Sequence, residues 1–592
     1  MSQRPGTLAV FTEWAAARHG PLPALSAGAR HPGGRRELSY DGLAETVRAM
    51  GCGLLGLGVR PGDRVGVLSE TRPEWTCAQF AVLAAGAVLV PVYPSAAEAE
   101  LAWVLGDSGA SVVIVENAAQ AERVASVRAK LPRLRSVVLI DGQGAGEHPL
   151  VLGELPGPAP AGELLARAAS RTEDDLCGIF YTSGTTGPPK GCCLTHGNLL
   201  ANHEATAQLA DGGPGDTTYL YLPLAHILAQ IIQCTTLIRG GTVCYFGGRV
   251  DRVVDELSEI RPTQLPSVPR LYEKVHARIR ALAEAEGPEG PARLARAVEL
   301  GLAAQAARER GEELPPELRA GWEEAERRLF APVRELFGGR LRSARTGGAP
   351  IAPQTMDLMR ACGIPLLEGY GMTEAAGVIT ANYPGAARSG TVGRPIPGHE
   401  VRIAGDGEVL ARGPGIFRGY HGNPAATAEV LDEAGWLHTG DLGRLDEDGY
   451  LTVTGRKKDL VITSSGKNIA PSLVEFALQQ SRWISRAVVV GDRRPYPVAL
   501  LTLDAGELAG WARRMGVEFG AGGPARHPAV RQLCQEAVDA ANEQFAGPVR
   551  IRAFAILPED FTVESGALTP TLKPRRAAIA ERYAAEIEAL YE

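Results

Sequence analysis

Short apolar runs alternate with amphipathic stretches in the first third of the chain. The runs "DRVGVL", "AVLVPV", "SVVIVE" and "SVVLID" lie within residues 63–141, between Ala/Leu-rich segments of helical periodicity. Strands that are hydrophobic throughout are typical of a sheet with helices on both faces. A second such region begins near Asp174 and contains "LCGIFY", "TVCYFGG" and "PTQLPSVP". The pattern predicts an α/β fold with two sheets.

The most membrane-like segment, residues 75–94, is close to the length that crosses a bilayer, about 20 residues. It is rich in Ala and Gly, and Gly86 is suited to end a helix near Ala85. We therefore expect a helix followed by a buried strand instead of a membrane span.

The pattern changes twice more along the chain. Residues 271–337 are rich in Ala, Glu and Arg, which predicts a helical insertion that caps the body, with one buried face formed by Leu271, Val275, Ile279 and Leu282. After Gly385, short strands alternate with glycine and proline turns, as in a small β-barrel. A shorter unit starts after about Arg456, and residues 529–545 and the stretch after Arg576 have helical periodicity.

Composition narrows the class of protein. The 592 residues exceed what one core holds, and the net charge of -7 without a block of Lys and Arg argues against nucleic-acid binding. The nine cysteines form no CxxC pair, so we expect reduced and mostly buried thiols, including the adjacent Cys192 and Cys193. The N-terminus lacks the pattern of a secretory signal, which makes the cytoplasm the expected location.

The segment "YTSGTTGPPKG", residues 181–191, follows a predicted strand and has the composition of a phosphate-binding loop. Glycines let backbone N–H groups approach phosphate oxygens, hydroxyls add donors, and Lys190 supplies a positive charge. It does not match GxxxxGK[ST], because Lys190 lies between Pro189 and Gly191. On the loop alone, a nucleotide site and an ordinary surface loop both remain open.

Four further motifs follow this loop in order. They are "GYGMTE" at 369–374, "GWLHTGDLG" at 435–443, "GRKKDLVITSSGKNI" at 455–469 and "LTPTLKPRR" at 568–576. Together with the loop, they resemble the adenylate-forming superfamily of acyl-CoA synthetases, luciferases and peptide-synthetase adenylation domains. The resemblance implies a large N-terminal domain, residues 1–456, with two α/β sheets and a small distorted β-barrel. A small mobile α+β domain, residues 457–592, would follow.

The resemblance also implies a reaction and its catalytic residues. A carboxylate attacks the α-phosphate of ATP, pyrophosphate leaves, and a thiol then attacks the acyl adenylate. Such chemistry depends on positive charge and positioning. The expected catalytic residues are Lys573, Glu374, Thr186 and Lys190; Glu374 and Thr185 would hold Mg2+, for which a carboxylate is a suitable ligand. Between the two steps the C-terminal domain would rotate about Lys458.

The same resemblance assigns ATP or AMP binding to residues in all five motifs and in "TGGAP" at 346–350. The expected residues are Thr182, Ser183, Gly184, Thr185, Thr186, Gly187, Lys190, Gly348, Ala349, Pro350, Glu368, Gly369, Tyr370, Gly371, Met372, Thr373, Asp441, Arg456 and Lys573. An ionised Asp441 is able to accept both ribose hydroxyls. Without the resemblance, Glu374 would be a surface carboxylate at a helix start, Asp441 a turn residue and Arg456 half of a surface ion pair.

The expected substrate is a long-chain fatty acid, with CoA as co-substrate. "YLPLAHILAQIIQ" at 221–233 resembles the acyl tunnel of long-chain and bubblegum-type synthetases, which makes His226 and Gln230 candidate acyl contacts; a core role for His226 stays open. Gly347 is a third candidate, because "TGGAP" resembles the family's segment beside the adenine and the acyl entrance. Leu572 before the lysine also fits that branch. The alternatives are a fatty acyl-AMP ligase that loads a carrier protein, and activation of another apolar acid. A silent scaffold is disfavoured because Lys573, Glu374 and the loop are present.

The sequence leaves the setting of the enzyme open. No nucleic acid is expected as a partner. A homodimer is compatible with the sequence, and so is peripheral contact with the inner face of the membrane, since long-chain acids are scarce in free solution.

Overall fold

The computed structural model describes residues 4–28, 34, 36–142, 150–155, 159–182, 188–209, 212–464, 467–520, 522–563, 565–569 and 573–592. The chain divides into two compact units. The first comprises Met1–Arg402, Leu410–His438 and Asp446–Leu451, and the second comprises Ile403–Val409, Thr439–Leu445 and Thr452–Glu592. The division into domains at residue 456 stays a prediction.

The strands are β1 Pro23–Ala27, β2 Arg36–Ser39, β3 Arg64–Leu68, β4 Val88–Val92, β5 Val112–Val115, β6 Ser136–Leu139, β7 Leu176–Thr182, β8 Lys190–Thr195, β9 Thr217–Leu220, β10 Thr242–Tyr245, β11 Gln264–Ser267, β12 Ser343–Thr346, β13 Leu366–Met372, β14 Gly377–Ala381, β15 Arg394–Pro395, β16 Glu400–Ile403, β17 Glu408–Arg412, β18 Gly419–Tyr420, β19 Leu437–Leu445, β20 Leu451–Arg456, β21 Val461–Ile462, β22 Asn468–Ile469, β23 Ile484–Val490, β24 Val498–Leu503 and β25 Ala553–Ile556.

The α-helices are α1 Phe11–His19, α2 Tyr40–Gly56, α3 Pro73–Ala84, α4 Glu98–Asp107, α5 Ala118–Ser126, α6 Ala161–Ala169, α7 His196–Gln208, α8 Ile227–Ile238, α9 Val253–Ile260, α10 Pro269–Ala285, α11 Gly290–Glu309, α12 Pro316–Ala325, α13 Ala331–Leu336, α14 Pro353–Ala361, α15 Pro424–Ala428, α16 Pro471–Leu478, α17 Ala505–Met515, α18 Pro528–Asn542, α19 Arg576–Arg582 and α20 Ala584–Ala589.

Two large sheets lie in the first unit. One has seven strands in the order β18-β8-β7-β4-β3-β5-β6, and the other has nine in the order β15-β14-β13-β12-β11-β9-β10-β1-β2. Their central strands are parallel, and antiparallel strands occupy edges of both. The predicted α/β class with two sheets is confirmed. In such folds, ligands bind beyond the carboxyl ends of the parallel strands.

The apolar runs form the strands that their composition predicts. The segment once compared with a membrane span forms α3, which ends at Ala84, and then the fully buried β4. Gly86 between them has a φ of +74°, the left-handed conformation that glycine adopts without strain. Among the described residues, no helix combines the length and hydropathy needed to cross a bilayer.

The predicted helical insertion is also present. It consists of α10, α11 and a continuous segment from α12 through a π-helical turn, Glu326–Phe330, into α13. Leu271, Val275 and Ile279 are buried as expected. The prediction for Leu282 is wrong, because its side chain is 63% exposed. The periodicity of α10 continues one turn beyond the core that its apolar face covers.

The glycine-rich region forms a four-stranded sheet in the order β16-β17-β19-β20. The second unit contains a three-stranded sheet, β23-β24-β25, packed with α16 and α18 around a separate core. The predicted helices after residue 528 and after Arg576 are α18, α19 and α20. All nine cysteines are unpaired; eight are buried and Cys193 is partly so.

Candidate active site

The stems of the predicted phosphate loop form a hairpin. β7 ends at Thr182 and β8 begins at Lys190, and these two residues lie opposite each other in the antiparallel pair. The predicted loop residues Ser183, Gly184, Thr185, Thr186 and Gly187 lie outside the described residues. The stems alone show that the loop joins two hydrogen-bonded strands at the edge region of the seven-stranded sheet.

Helix α4 holds both stems of the loop. The Tyr181 hydroxyl donates to Asp107 Oδ2 at 2.6 Å, and the indole Trp103 Nε1 donates to the carbonyl oxygen of Pro189 at 2.9 Å. Burial, followed by the hydrogen bond to Asp107, raises the pKa of Tyr181, so the phenol remains protonated and able to donate. The sequence analysis singled out neither Trp103 nor Asp107.

The motif "GYGMTE" occupies the end of β13 and the turn that follows. Met372 ends the strand, and Thr373 and Glu374 form a 3₁₀ turn that leads into β14. A Cβ on Gly371 would lie 1.6 Å from the carbonyl oxygen of Gly377, so this close hairpin excludes any larger residue. Local packing thus requires a glycine in the middle of the motif.

The "TGGAP" loop lies beside this motif. β12 and β13 are parallel neighbours with Thr346 opposite Glu368, which brings the loop after β12 next to Gly369. The ideal Cβ position of Gly347 is 3.0 Å from the carbonyl oxygen of Gly369. Gly348, Ala349 and Pro350 are exposed. The structure therefore brings the start of this loop beside the start of the motif, and adenine binding by residues 348–350 and 368–373 stays a prediction.

Two carboxylates hold the far end of the same loop. The Glu368 side chain accepts a hydrogen bond from the Ile351 backbone, and the Glu273 side chain accepts one from the Ala352 backbone. Burial raises the pKa of Glu368 to about 7 and raises that of Glu273 as well. Glu368 was predicted in the nucleotide site; here its carboxyl group supports the loop.

Glu374 is buried within a small group of polar side chains. The hydroxyl of Tyr420 donates to Glu374 Oε1 at 2.8 Å, and Lys190 Nζ lies 5.0 Å from the centroid of the Tyr420 ring. Cys192 also hydrogen-bonds to Glu374, and its Sγ is 3.9 Å from Thr182 Oγ1. The structure thus brings Thr182, Lys190 and Glu374 together through residues that the sequence analysis did not assign.

Burial determines the protonation of the neighbours of Glu374. It raises the pKa of Tyr420, with Glu374 the next cause, so the hydroxyl is a donor at neutral pH. Burial likewise raises the pKa of Cys192 and brings that of Cys193 to about 11. Both thiols are therefore protonated, consistent with small core residues.

The predicted acyl segment packs against the same turn. Ile231 on α8 fills the space at Gly377, where a Cβ would lie 1.8 Å from Ile231 Cδ1. His226 caps α8, its Nδ1 accepting from the Leu228 backbone N–H at 3.2 Å. These contacts place α8 beside the turn that carries Glu374, three residues before Gly377.

Gln230 lies in a buried hydrogen-bond network. Its Oε1 accepts from Gln79 Nε2 at 2.6 Å, and its Nε2 donates to the Leu224 carbonyl oxygen at 2.7 Å. Gln233, Thr76 and the Tyr245 hydroxyl continue the network across α3 and β10. Both ends of the Gln230 amide are therefore bonded within the protein, and its contact with an acyl chain stays a prediction.

In the second unit, the two predicted ribose residues form an ion pair. Arg456 Nε is 2.9 Å from Asp441 Oδ1, and Asp441 is buried while Arg456 is half exposed. Thr439 Oγ1 donates to the Val409 carbonyl oxygen and accepts from the Asp441 backbone N–H, which fixes the turn before the carboxylate. A buried carboxylate oriented by a guanidinium is suited to accept hydroxyl hydrogens.

The predicted hinge lies on a short 3₁₀ helix, Lys457–Asp459. Lys457 Nζ binds Asp406 Oδ2 at 2.6 Å and Glu408 Oε2 at 3.0 Å, which ties the residue before Lys458 to the β16–β17 turn. The rotation itself stays a prediction.

The backbone of Lys573 is hydrogen-bonded to Thr569. Its backbone N–H donates to Thr569 Oγ1 at 3.1 Å, its carbonyl accepts from the Thr569 N–H, and Leu568 bridges to Pro574. The side chain is exposed. Pro574, which fixes its own φ, thus lies in an antiparallel bridge.

Arg576 anchors the helix after Lys573. It makes a bidentate pair with Glu475 on α16, with contacts of 2.5 and 2.6 Å, and Glu475 Oε1 also accepts from the Val489 N–H at 2.7 Å. Of the cations near Lys573, this one is therefore committed to the structure of the second unit.

The donor set fits Mg2+ bound with a nucleotide. Among the described residues, no three His, Cys, Asp or Glu side chains cluster as a metal site would require. Mg2+ is usually held by one or two carboxylates together with phosphate oxygens and water. One buried carboxylate, Glu374, beside the stem of the phosphate loop meets that requirement; Thr185 lies outside the described residues.

The comparisons with known proteins cover almost the whole chain. The family model described as "AMP-binding enzyme" matches residues 12–421, and "AMP-binding enzyme C-terminal domain" matches residues 458–592. Long-chain-fatty-acid–CoA ligase FadD15 of Mycobacterium bovis is 39% identical over 559 residues, 93% of this chain and 91% of the relative.

Solved structures of two similar proteins match the fold. The adenylation domain of a carboxylate reductase from Mycobacterium chelonae has a TM-score of 0.77 and 23% identity, covering 99% of this chain and 92% of that one. The anthranilate CoA ligase AuaEII in complex with anthranoyl-AMP has a TM-score of 0.74 and 22% identity, covering all of both chains. At these identities, the likeness shows a shared α/β fold.

Proposed function

Because the chain belongs to the AMP-binding enzyme family, we propose that it is a long-chain fatty acid–CoA ligase. The observation that carries this proposal is the 39% identity, over 93% of the chain, to a relative named for that activity. The shared contacts of Glu374 and Lys190 with Tyr420 support it, because these are the residues to which the resemblance assigns metal and phosphate contacts.

In the first step, a carboxylate oxygen of the fatty acid forms a bond to the α-phosphorus of ATP. The bond between that phosphorus and the bridging oxygen breaks, and pyrophosphate leaves with both electrons of the bond. Both reactants are anionic, so positive charge lowers the barrier. We assign that charge to Lys573 and Lys190. Asp441 and Arg456 would bind the ribose hydroxyls, and residues 348–350 and 368–373 would bind adenine.

Mg2+ would be held by Glu374 and Thr185, where it would neutralise phosphate charge when bound. The buried Glu374 carboxylate retains its orientation through Tyr420, which limits the reorganisation needed as the nucleotide enters. Thr182 and Thr186 would add hydroxyl donors to phosphate oxygens.

In the second step, the CoA thiol releases its proton to solvent and its sulfur attacks the acyl carbon. The bond between that carbon and the phosphate oxygen breaks, and AMP leaves with both electrons of the bond. Lys573 would withdraw through rotation about Lys458, which opens the path for the thiol. The acyl chain would lie along α8, near His226 and Gly347. The apolar length of α8 favours a long acid over a small polar one.

The test incubates the protein with ATP, Mg2+ and acids from acetate to stearate, with and without CoA, and identifies products by mass spectrometry. Acyl-CoA formed chiefly from long acids, and lost in Lys573→Ala, is the expected result. An acyl adenylate that CoA does not consume would instead indicate transfer to a carrier protein. Absence of pyrophosphate with every acid would reject the substrate class.

The setting of the reaction is part of the same proposal. Nine unpaired cysteines suit a reducing cytoplasm, and peripheral contact with the inner face of the membrane would give access to long-chain acids. Size-exclusion chromatography with light scattering would distinguish a monomer from the homodimer that the sequence permits.

A further inference from the structure

Tyr420 contacts two residues that the proposed function uses. Its hydroxyl donates to Glu374 Oε1 at 2.8 Å, and Lys190 Nζ lies 5.0 Å from the centroid of its ring. A hydrogen bond to a carboxylate fixes the orientation of that group, and an ammonium over a phenol ring is attracted by the ring electrons. One side chain therefore links the carboxylate to the ammonium.

The backbone around Tyr420 is bonded to the elements that carry both partners. β18 is antiparallel to β8, with Tyr420 opposite Cys192, two residues after Lys190. The Phe417 N–H donates to the carbonyl oxygen of Glu374 itself at 2.8 Å. The strand that carries the phenol is thus joined directly to the strand of the lysine and to the turn of the carboxylate.

Gly419 and Thr427 restrict the position of the ring further. The Tyr420 N–H donates to Thr427 Oγ1 at 2.9 Å. Gly419 has a φ of +133°, and a Cβ there would lie 2.8 Å from Thr427 Cγ2. Only glycine adopts this backbone conformation without a clash, so the backbone just before Tyr420 is fixed.

A tyrosine that merely filled space would keep its role as phenylalanine. Tyr420 does pack edge-on against Phe417, with ring centroids 5.0 Å apart, and phenylalanine would retain that contact. The hydroxyl, however, is placed on a buried carboxylate, where losing the donor changes the environment of a charge. The two roles therefore predict different results for the same conservative substitution.

We propose that Tyr420 is a positioning residue, whose hydroxyl orients Glu374 toward the metal of bound Mg·ATP and whose ring holds Lys190 at the stem of the phosphate loop. This inference rests on the proposed function, since it takes Glu374 as the metal ligand and Lys190 as a phosphate contact. It assigns the two halves of one side chain to two separable effects.

The test measures ATP affinity of the full-length protein by calorimetry, once with Mg2+ and once with EDTA. The variants are Tyr420→Phe, which removes only the hydroxyl, and Tyr420→Leu, which also removes the ring. Tyr450→Phe is the matched control, because the Tyr450 ring also lies near cations, Arg388 and Arg394 at 4.3 and 4.4 Å, and neither of these is a proposed site residue. Thermal unfolding verifies that each variant is folded.

In Tyr420→Phe, the gain in ATP affinity that Mg2+ provides should fall by on the order of tenfold, whereas ATP affinity in EDTA should be unchanged. Tyr420→Leu should also bind ATP several-fold more weakly in EDTA, because Lys190 loses the ring. Tyr450→Phe should match the wild type in both conditions.

Three results would overturn the inference: a Mg2+ effect that Tyr420→Phe retains, an equal loss with and without Mg2+, or a wild-type protein whose ATP affinity does not depend on Mg2+. Pyrophosphate release by the wild type is measured separately. Metal-dependent binding that Tyr420→Phe abolishes, without acid-dependent pyrophosphate, would reject the proposed substrate class and support the role of Tyr420.

Discussion

Replacing Arg576 by methionine should destabilise the part of the second unit that carries Lys573. Arg576 is the bidentate partner of Glu475, whose side chain is only 7% exposed. Methionine keeps much of the apolar stem of arginine and removes the charge. The Glu475 carboxylate would then remain buried with one of its three hydrogen bonds, that from the Val489 N–H.

The expected magnitude follows from that burial. Removing one partner of a buried ion pair typically costs about 3–5 kcal/mol, because the other charge stays uncompensated. Arg576 is 25% exposed, so water would reach part of the vacated space, and we expect about 3 kcal/mol. The additional change Glu475→Gln removes the stranded charge and keeps an acceptor for Val489, so the double variant should regain most of the loss.

Hydrogen exchange of the full-length protein, resolved by mass spectrometry, measures the effect locally. Amides of α16, β23 and α19 should exchange about 100-fold faster in Arg576→Met, consistent with about 3 kcal/mol of opening free energy. The matched control is Arg494→Met, because the pair between Arg494 and Glu588 is exposed on both sides and should contribute under about 1 kcal/mol.

The function should change with the same structure. Lys573 lies three residues before Arg576, so looser anchoring of α19 should lower the rate of acyl-adenylate formation. Protection in Arg576→Met equal to that in Arg494→Met, or a double variant no more stable than the single one, would refute the reasoning.

Three further predictions concern the site. Asp441→Asn should weaken ATP binding by on the order of tenfold, because the charged acceptor for the ribose hydroxyls is lost. In a competition assay, the variant should no longer prefer ATP over 2′-deoxy-ATP; a retained preference would contradict the assignment. Trp103→Phe should weaken ATP binding by about threefold in a calorimetric titration, because the Pro189 carbonyl at the loop stem loses its hydrogen-bond donor. Unchanged affinity would exclude a role of Trp103 in positioning the loop. Burial raises the pKa of Glu368 to about 7, so as pH rises this carboxyl ionises in the unfolded chain before it ionises in the folded protein. The free energy of unfolding of the wild type should therefore fall by up to about 3 kcal/mol between pH 4.5 and 7. Urea unfolding should show a smaller fall in Glu368→Gln.

Periodicity predicted the elements better than their ends. The run at residues 87–92 becomes a buried strand because every position is apolar, and Gly86 marks the turn before it. The prediction that Leu282 is buried is wrong for a related reason. A 3.6-residue repeat states which side chains share a helix face, but the end of the core beneath that face is a tertiary property.

The motifs assign roles to residues that would contact substrates, but not to the residues that hold those groups in place. A Cβ on Gly371 would lie 1.6 Å from a backbone oxygen and one on Gly347 would lie 3.0 Å from another, so a geometric need accompanies Gly371 and a tight fit accompanies Gly347. Trp103 lies on α4, 86 residues before its partner Pro189, within a segment whose sequence is typical of an ordinary amphipathic helix. No local pattern connects the two.

Tyr420 shows why the second group escapes sequence reasoning. Its letters, "RGYHG", are typical of a turn-rich segment, and a tyrosine there has many possible roles. Its partners Glu374 and Lys190 are 46 and 230 residues away, and they meet only because β8 is bordered by β18 on one side and the backbone of residue 417 reaches the Glu374 carbonyl. A motif identifies a group by the chemistry it performs, whereas the orientation of that group depends on contacts made across the sheet. The residues that orient Glu374 can therefore be identified only from the three-dimensional structure. Substitutions at such positions should change the metal dependence of ATP binding more than they change which substrate is used.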